Sequence, residues 1–174
     1  LAADFQVGQA GRFGVNIYHN DVQDLIDQVL DPADGLLMFT NQSHVQTRGI
    51  DFNAERRWDG GYRVRGSLSR QWSSAADGSE LGNSPQWLGK LVFGLPLAAG
   101  WTVGAEWQGM SERRSLAGRV PGFGMMNVTL TSRPVLGGGQ LAVGVYNVGD
   151  RRYLDPAPSA FAQDALAQDG RQLR

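Results

Sequence analysis

The chain has 174 residues and 18.9 kDa, with 16 basic against 17 acidic side chains and a net charge of −1. That balance speaks against a nucleic-acid binder, and the absence of cysteine excludes a disulfide framework, a thiolate metal site and a cysteine nucleophile. No apolar run approaches the ~18 residues of a membrane-spanning helix, a test that is blind to alternating membrane strands.

From the N-terminus, the sequence predicts strands near residues 1–8, 12–24, 37–58, 62–74, 86–97, 101–112, 123–134 and 140–149, with another beginning at 170. Each rests on period-two alternation, which a strand sorts into two faces and a helix does not. Ile50, Phe52 and Ala54 alternate with Asp51, Asn53 and Glu55. Tyr62, Val64, Gly66 and Leu68 alternate with Arg63, Arg65, Ser67 and Ser69. Trp101, Val103, Ala105 and Trp107 oppose Thr102, Gly104, Glu106 and Gln108, and Met126, Val128 and Leu130 oppose Asn127, Thr129 and Thr131. Leu141, Val143 and Val145 close the series. The runs exceed the ~5–6 residues of an ordinary strand and suit a sheet with lipid on one side and water on the other.

The connections alternate in length. Gln9-Ala10-Gly11, Asp59-Gly60-Gly61, Ala98-Ala99-Gly100 and Leu136 to Gly139 are short and carry the glycines of tight turns. Between them fall longer links at about 25–36, 75–85, 113–122 and 150–169. Outer-membrane barrels alternate short periplasmic turns with long external loops in this way, whereas a soluble antiparallel sandwich has no reason to. Trp58, Tyr62 and Trp101 flank the short turns where an interfacial girdle sits, while Trp72, Trp87, Trp107 and Tyr146 fall towards the other strand ends. The fold expected is an all-β, antiparallel transmembrane barrel, represented here by about eight strands. The Ala-rich stretch from Ala157 to Gln168 suggests a short helix in the last long loop.

Catalytic and metal motifs are absent from the sequence: no G-x-S-x-G, no G-x-G-x-x-G and no G-x-x-x-x-G-K-[ST] occurs. His19 and His44 have no carboxylate at ligand spacing, so inward polar roles are expected of them. Asp31-Pro32-Ala33-Asp34-Gly35 carries two carboxylates that suit calcium, but a polar turn explains the same residues. Asn41-Gln42-Ser43 and Asn127-Val128-Thr129 match a glycosylation pattern that a bacterial outer-membrane protein leaves idle.

Several segments, in order, resemble one family. Gly144-Val145-Tyr146-Asn147-Val148-Gly149-Asp150-Arg151-Arg152-Tyr153-Leu154-Asp155-Pro156 carries an N-aliphatic-x-D-(K/R)-x-Y pattern. Thr47-Arg48-Gly49-Ile50-Asp51-Phe52 is an r-G-hydrophobic-acidic-hydrophobic strand, and Asn83-Ser84-Pro85 an N-x-P strand start. Val120-Pro121-Gly122-Phe123 opens another strand, and Gly170-Arg171-Gln172-Leu173-Arg174 looks like the start of the last. Together they resemble the TonB-dependent outer-membrane receptors of the ferric-siderophore type, over about Val15 to Arg174.

That resemblance implies the C-terminal third of a 22-stranded barrel, in the outer membrane of a Gram-negative bacterium. The plug domain and the remaining strands would lie outside these residues, so the 174 residues are not expected to form a complete folding unit. The implied function is uptake of a ferric siderophore or similar chelate, energised by TonB through the plug, with no catalysis and no resident cofactor. Arg113, Arg114 and Arg119 fall on a predicted external loop, where guanidinium forks suit chelate oxygens or lipopolysaccharide phosphates. Asp51, Glu55, Arg63, Arg65 and Glu106 are expected to line a wet lumen or touch the plug. The alternative is a small barrel or adhesin that closes on about eight strands without transport.

Overall fold

Alternation becomes hydrogen-bonded ladders. The computed structural model describes all residues except Leu25, Pro32, Gln42, Ser43 and Ser159. In chain order the strands are β1 (Ala2–Val7), β2 (Gly11–Val22), β3 (Ile26–Leu30), β4 (Leu37–Asn41), β5 (Val45–Arg57), β6 (Arg63–Ala75), β7 (Trp87–Pro96) and β8 (Thr102–Met110). There follow β9 (Arg113–Arg114), β10 (Arg119–Val120), β11 (Phe123–Thr131), β12 (Ala142–Tyr146), β13 (Leu154–Pro156), β14 (Ala165–Ala167) and β15 (Gln172–Leu173). Nine of them form one sheet in the order β1-β2-β5-β6-β7-β8-β11-β12-β15, every neighbouring pair antiparallel.

The long links are more structured than the sequence suggests. The stretch predicted as one strand over 37–58 divides, because Leu37–Asn41 pairs with Ile26–Leu30 in a hairpin of its own. That pairing also places a strand inside the link read as loop 25–36. The described residues of the Ala157–Gln168 stretch are not helical. Leu154–Pro156 pairs with Ala165–Ala167 instead, and the ladder extends through Gln168 N–H donating to Tyr153 O at 3.0 Å. Pro156 and Pro158 explain the failure, since a proline N has no hydrogen to give a helix and the residue before it is held extended. Among the described residues the only helical pieces are two one-turn 3-10 segments, Ala98–Gly100 and Leu136–Gly138, both in short links.

Paired residues in a ladder project to the same face, so register turns the alternation into two surfaces. Val64, Phe93, Ala105, Val128, Val145 and Leu173 form one apolar row across six strands. One step along, Arg12, Glu55, Arg65, Val92, Glu106 and Asn127 form a largely polar row on the other face. Tyr146 belongs to that polar face, where Arg174 lies over its ring, and so stands apart from the outward tryptophans.

Among the described residues no packed layer covers the apolar face. Ile17 is 49% exposed, Leu68 44% and Val143 54%. In water such a surface would be an aggregation site; hydrocarbon satisfies it. Tyr62 and Trp72, near the two ends of β6, are about ten residues apart, roughly 34 Å along a strand and ~26 Å along the membrane normal at ~40° tilt. That matches the ~25 Å apolar band of outer-membrane barrels. The sheet itself is open: among the described residues β1 and β15 are its two edges and do not pair. The small self-closing barrel therefore has no counterpart in this structure.

Candidate functional site

Most of the well-buried side chains lie beyond the sheet, where the long links gather over one end of it. Arg113, Ser115, Val120, Phe123, Asn147 and Ala157 are all under 10% exposed. Meander topology puts these links at the same end, and a polar clasp ties three of them together.

Arg113 is the centre of that clasp. Its Nη1 donates to Asn83 Oδ1 at 3.1 Å, and its Nη2 donates to Leu154 O at 2.9 Å and to Asp155 Oδ1 at 2.7 Å. The guanidinium lies 5.8 Å from the Phe123 ring centroid, and Phe123 stacks on Tyr153 at 4.0 Å. Burial raises the Tyr153 hydroxyl above its ordinary pKa, with the Asp155 carboxylate adding to the effect. Gly122 is required beside it, because a Cβ there would meet Met110 O at 2.6 Å and the Ser111 carbonyl carbon at 2.8 Å. Asn83 takes a positive φ of 51°, which asparagine tolerates, and its N–H donates to Arg114 O at 2.9 Å.

A second contact locks the neighbouring hairpin. Asp164 accepts from Ser115 Oγ at 2.6 Å and from Ala117 N–H at 2.7 Å. These hydrogen bonds, the serine's foremost, hold the Asp164 carboxyl below the ordinary carboxylate range. Behind it, Asn147 sits in the left-handed region at φ 51° and ties the loop's first turn together. Its Nδ2 donates to Arg151 O and its Oδ1 accepts from Arg151 N–H, both at 2.8 Å. Asp150 Oδ1 accepts from Arg171 N–H at 2.8 Å and so anchors the start of the last strand. The N-x-P, P-G-F and N-x-x-D-R-R-Y segments thus converge on one clasp, although they lie far apart in sequence.

The three loop arginines do different things. Arg113 is enclosed, whereas Arg114 and Arg119 are exposed. Arg119 is held by Glu80 on one side and by Glu112 at 2.8 Å on the other. Arg114 donates to Glu80 O at 3.1 Å and forms no ion pair among the described residues. Asn83, Asp155, Asp164 and Glu80 complete the cluster without having been singled out as candidates. The motifs located Asn83 and Asp155, but nothing local marks Asp164 or Glu80 as their partners.

Asp51, Glu55, Arg63, Arg65 and Glu106 all lie on the polar face. Glu55 bonds Arg57 at 2.7 Å and Arg65 at 3.1 Å, Glu106 pairs with Lys90 at 2.8 Å, and Asn16 donates to Asp51 at 3.3 Å. His44 pairs with Asp21 at 2.8 Å, while His19 stands opposite Arg48 on the apolar face, so the expected inward role does not hold for His19. Among the described residues no group of three metal-ligating side chains occurs. Asp31 and Asp34 each accept from the backbone two residues on, as in a polar turn. Pro32 of that turn, and Gln42 and Ser43 of the Asn41 triplet, lie outside the described residues.

The chain matches the family model described as TonB dependent receptor-like, beta-barrel, over residues 1–148. No curated protein sequence matches it. Among solved structures it is similar to BauA, the ferric preacinetobactin receptor from Acinetobacter baumannii, at TM-score 0.75 and 15% identity, covering 99% of this chain and 27% of that one. The ferric citrate transporter FecA in its unliganded form gives 0.76 at 17% identity, with 95% and 28% covered. The copper transporter OprC gives 0.74 at 19% identity, with 99% and 30% covered. At these identities the likeness is one of fold, and the chain spans under a third of each structure's length. An open antiparallel sheet with one apolar face, its long loops clasped at one end, and a family match over most of its length together place this chain in the TonB-dependent receptor β-barrel family.

Proposed function

We propose that this chain is part of an outer-membrane, TonB-dependent receptor that takes up an iron chelate of the siderophore type. The observation that carries the reading is the loop clasp, which presents Arg114 and Arg119 at one end of the sheet while Arg113 holds the loops together. Chelate oxygens are anionic and planar groups suit a guanidinium fork. An arriving ligand would draw Arg119 away from Glu80 and Glu112 and meet Arg114 directly. The polar face, with Asp51, Glu55, Arg63, Arg65 and Glu106, would line the lumen and face a plug supplied outside these residues. TonB would act through that plug, and lipopolysaccharide would surround the outer rim. No step in this reading needs a catalytic group or a resident cofactor.

The reading is tested in cells carrying the full receptor, by uptake of radiolabelled iron chelates. R114Q/R119Q is expected to raise the half-saturating concentration by roughly tenfold or more, the loss of about 1.4 kcal/mol of binding. Unchanged saturation would remove these arginines from the site. Uptake that persists without TonB would overturn the energised-transport reading itself.

A further inference from the structure

The apolar face is interrupted towards one end by arginines. Register places His19, Arg48 and Trp72 in one row of that face and Arg70 and Trp87 in the next, level with Ile50, both rows on the long-loop side of Phe52 and Leu68. Arg70 is wedged between two indoles, its guanidinium carbon 4.5 Å from the Trp72 ring and 4.7 Å from the Trp87 ring. Arg48 lies 6.0 Å from the Trp72 ring. The Arg70 Nε is buried and unpartnered. Among the described residues neither Arg48 nor Arg70 pairs with a carboxylate; Asp21, two places along from His19, is engaged by His44.

An anion would offset the charge gathered in this arrangement. An arginine facing hydrocarbon at the midplane costs ~2–4 kcal/mol, falling to ~0–1 near the interface. Two arginines side by side add mutual repulsion in a medium of low dielectric. Cation–aromatic contact with the indoles holds both guanidinium groups beside the rings. A cleft of about 340 Å³ lies between His19, Gln46, Arg48, Trp72 and Ser74. The other rim has no such cluster: Arg56 over Trp58, at 5.1 Å, is its single cation–aromatic contact among the described residues. The asymmetry assigns the anion to the leaflet on the long-loop side.

We propose that Arg48 and Arg70, braced by Trp72 and Trp87 and flanked by His19, bind the phosphate of a phosphorylated glycolipid in the outer leaflet. The inference rests on the loops-outward reading above and gives the rim lipid a defined contact distinct from the chelate loops.

The test uses the full receptor in lipid nanodiscs, with bound lipid quantified by native mass spectrometry. Diphosphoryl lipid A is the probe, with the dephosphorylated form and phosphatidylglycerol as competitors. The wild type is expected to retain diphosphoryl lipid A roughly tenfold over the dephosphorylated form, as charge-assisted bonds demand, and R48Q/R70Q to lose that preference. R48K/R70K should keep part of it, because the charge remains while the fork is lost. Equal retention of the dephosphorylated lipid, or undiminished preference in R48Q/R70Q, overturns the proposal. Preference for phosphatidylglycerol over lipid A overturns the glycolipid assignment. Should R48Q/R70Q fail to fold by heat-modifiable migration, wild-type binding indifferent to raising salt to about 0.5 M would be equally decisive against it. Maleimide labelling of Ser79→Cys in intact cells tests the loops-outward reading separately, so a failed orientation and a failed lipid site give different results.

Discussion

Arg113 and Asp155, 42 residues apart, meet at 2.7 Å across two different loops, and the arginine side chain is only 5% exposed. The pair closes the end of the sheet where the long links gather. Its neighbours are the family's motif residues rather than solvent, so this arginine braces the loops that carry Arg114 and Arg119.

Removing that brace should loosen all three loops together. Breaking a buried ion pair by deleting one partner costs about 3–5 kcal/mol. Asp155 is partly exposed and can rehydrate, so Arg113→Ala is expected to cost nearer 2–3 kcal/mol. Limited proteolysis of the full receptor should then cut near Gly118 well before wild type. Arg113→Lys should fall between, since an ammonium cannot reach Asn83, Leu154 and Asp155 in the same fork.

Acid should open the Ser115–Asp164 contact selectively. The folded pKa of Asp164 is depressed by its hydrogen bonds. Its stabilisation is therefore present above the unfolded value of about 3.9 and is lost as pH falls through the folded one. Hydrogen exchange at Ala117 N–H, corrected for its intrinsic pH dependence, should lose protection below about pH 4. Asp164→Asn should show weak protection at all pH values, and an unchanged acid response in that variant would assign the effect elsewhere.

Face assignment predicts an alternating penalty along β11. Arginine at Val128, on the apolar face, is expected to cost ~2–4 kcal/mol, and arginine at Thr129, on the polar face, much less. Urea unfolding of the full receptor in vesicles measures both. Equal penalties would mean the faces are reversed or the strand is not in lipid.

Orientation is checked in intact cells. Cysteine at Ser79, in a long link, should react with an impermeant maleimide, and cysteine at Gly60, in a short turn, should not. The opposite pattern would invert the assignment.

The 174 residues on their own should not refold in detergent. Edge strands β1 and β15 carry unpaired N–H and C=O groups, and each such group in hydrocarbon costs several kcal/mol. Aggregation without a heat-modifiable band is the expected result. A compact, protease-resistant monomer would mean that nine strands can close after all.

Strand content, strand order and the two faces were legible because a β-meander is a local object. Period two at Val103 to Trp107 or Met126 to Thr131 writes the face directly into the sequence, and short glycine turns make each strand pair with the next. The strands of the main sheet and the valines of its apolar face followed from that alone. The loops were not legible in the same way. Leu37–Asn41 reads as the start of a long strand, yet it pairs backwards with Ile26–Leu30, because nothing in its own residues says which neighbour will complete its hydrogen bonds. The prolines at 156 and 158 did carry the signal that the Ala-rich stretch would not be a helix, and composition outweighed it.

Tertiary structure alone decided the roles of the arginines. Arg113, Arg114 and Arg119 are one basic cluster in sequence, but only the fold brings Asn83, Leu154 and Asp155 to enclose the first and leaves the second exposed. Nothing in the sequence joins Arg48 to Arg70, since their pairing depends on Trp72 and Trp87 being brought beside them by the ladder. The physical reason is common to both cases. A strand's face depends on residues two apart, whereas burial, ion pairing and stacking depend on which distant segments share a point in space, and that is set by the register of the whole sheet.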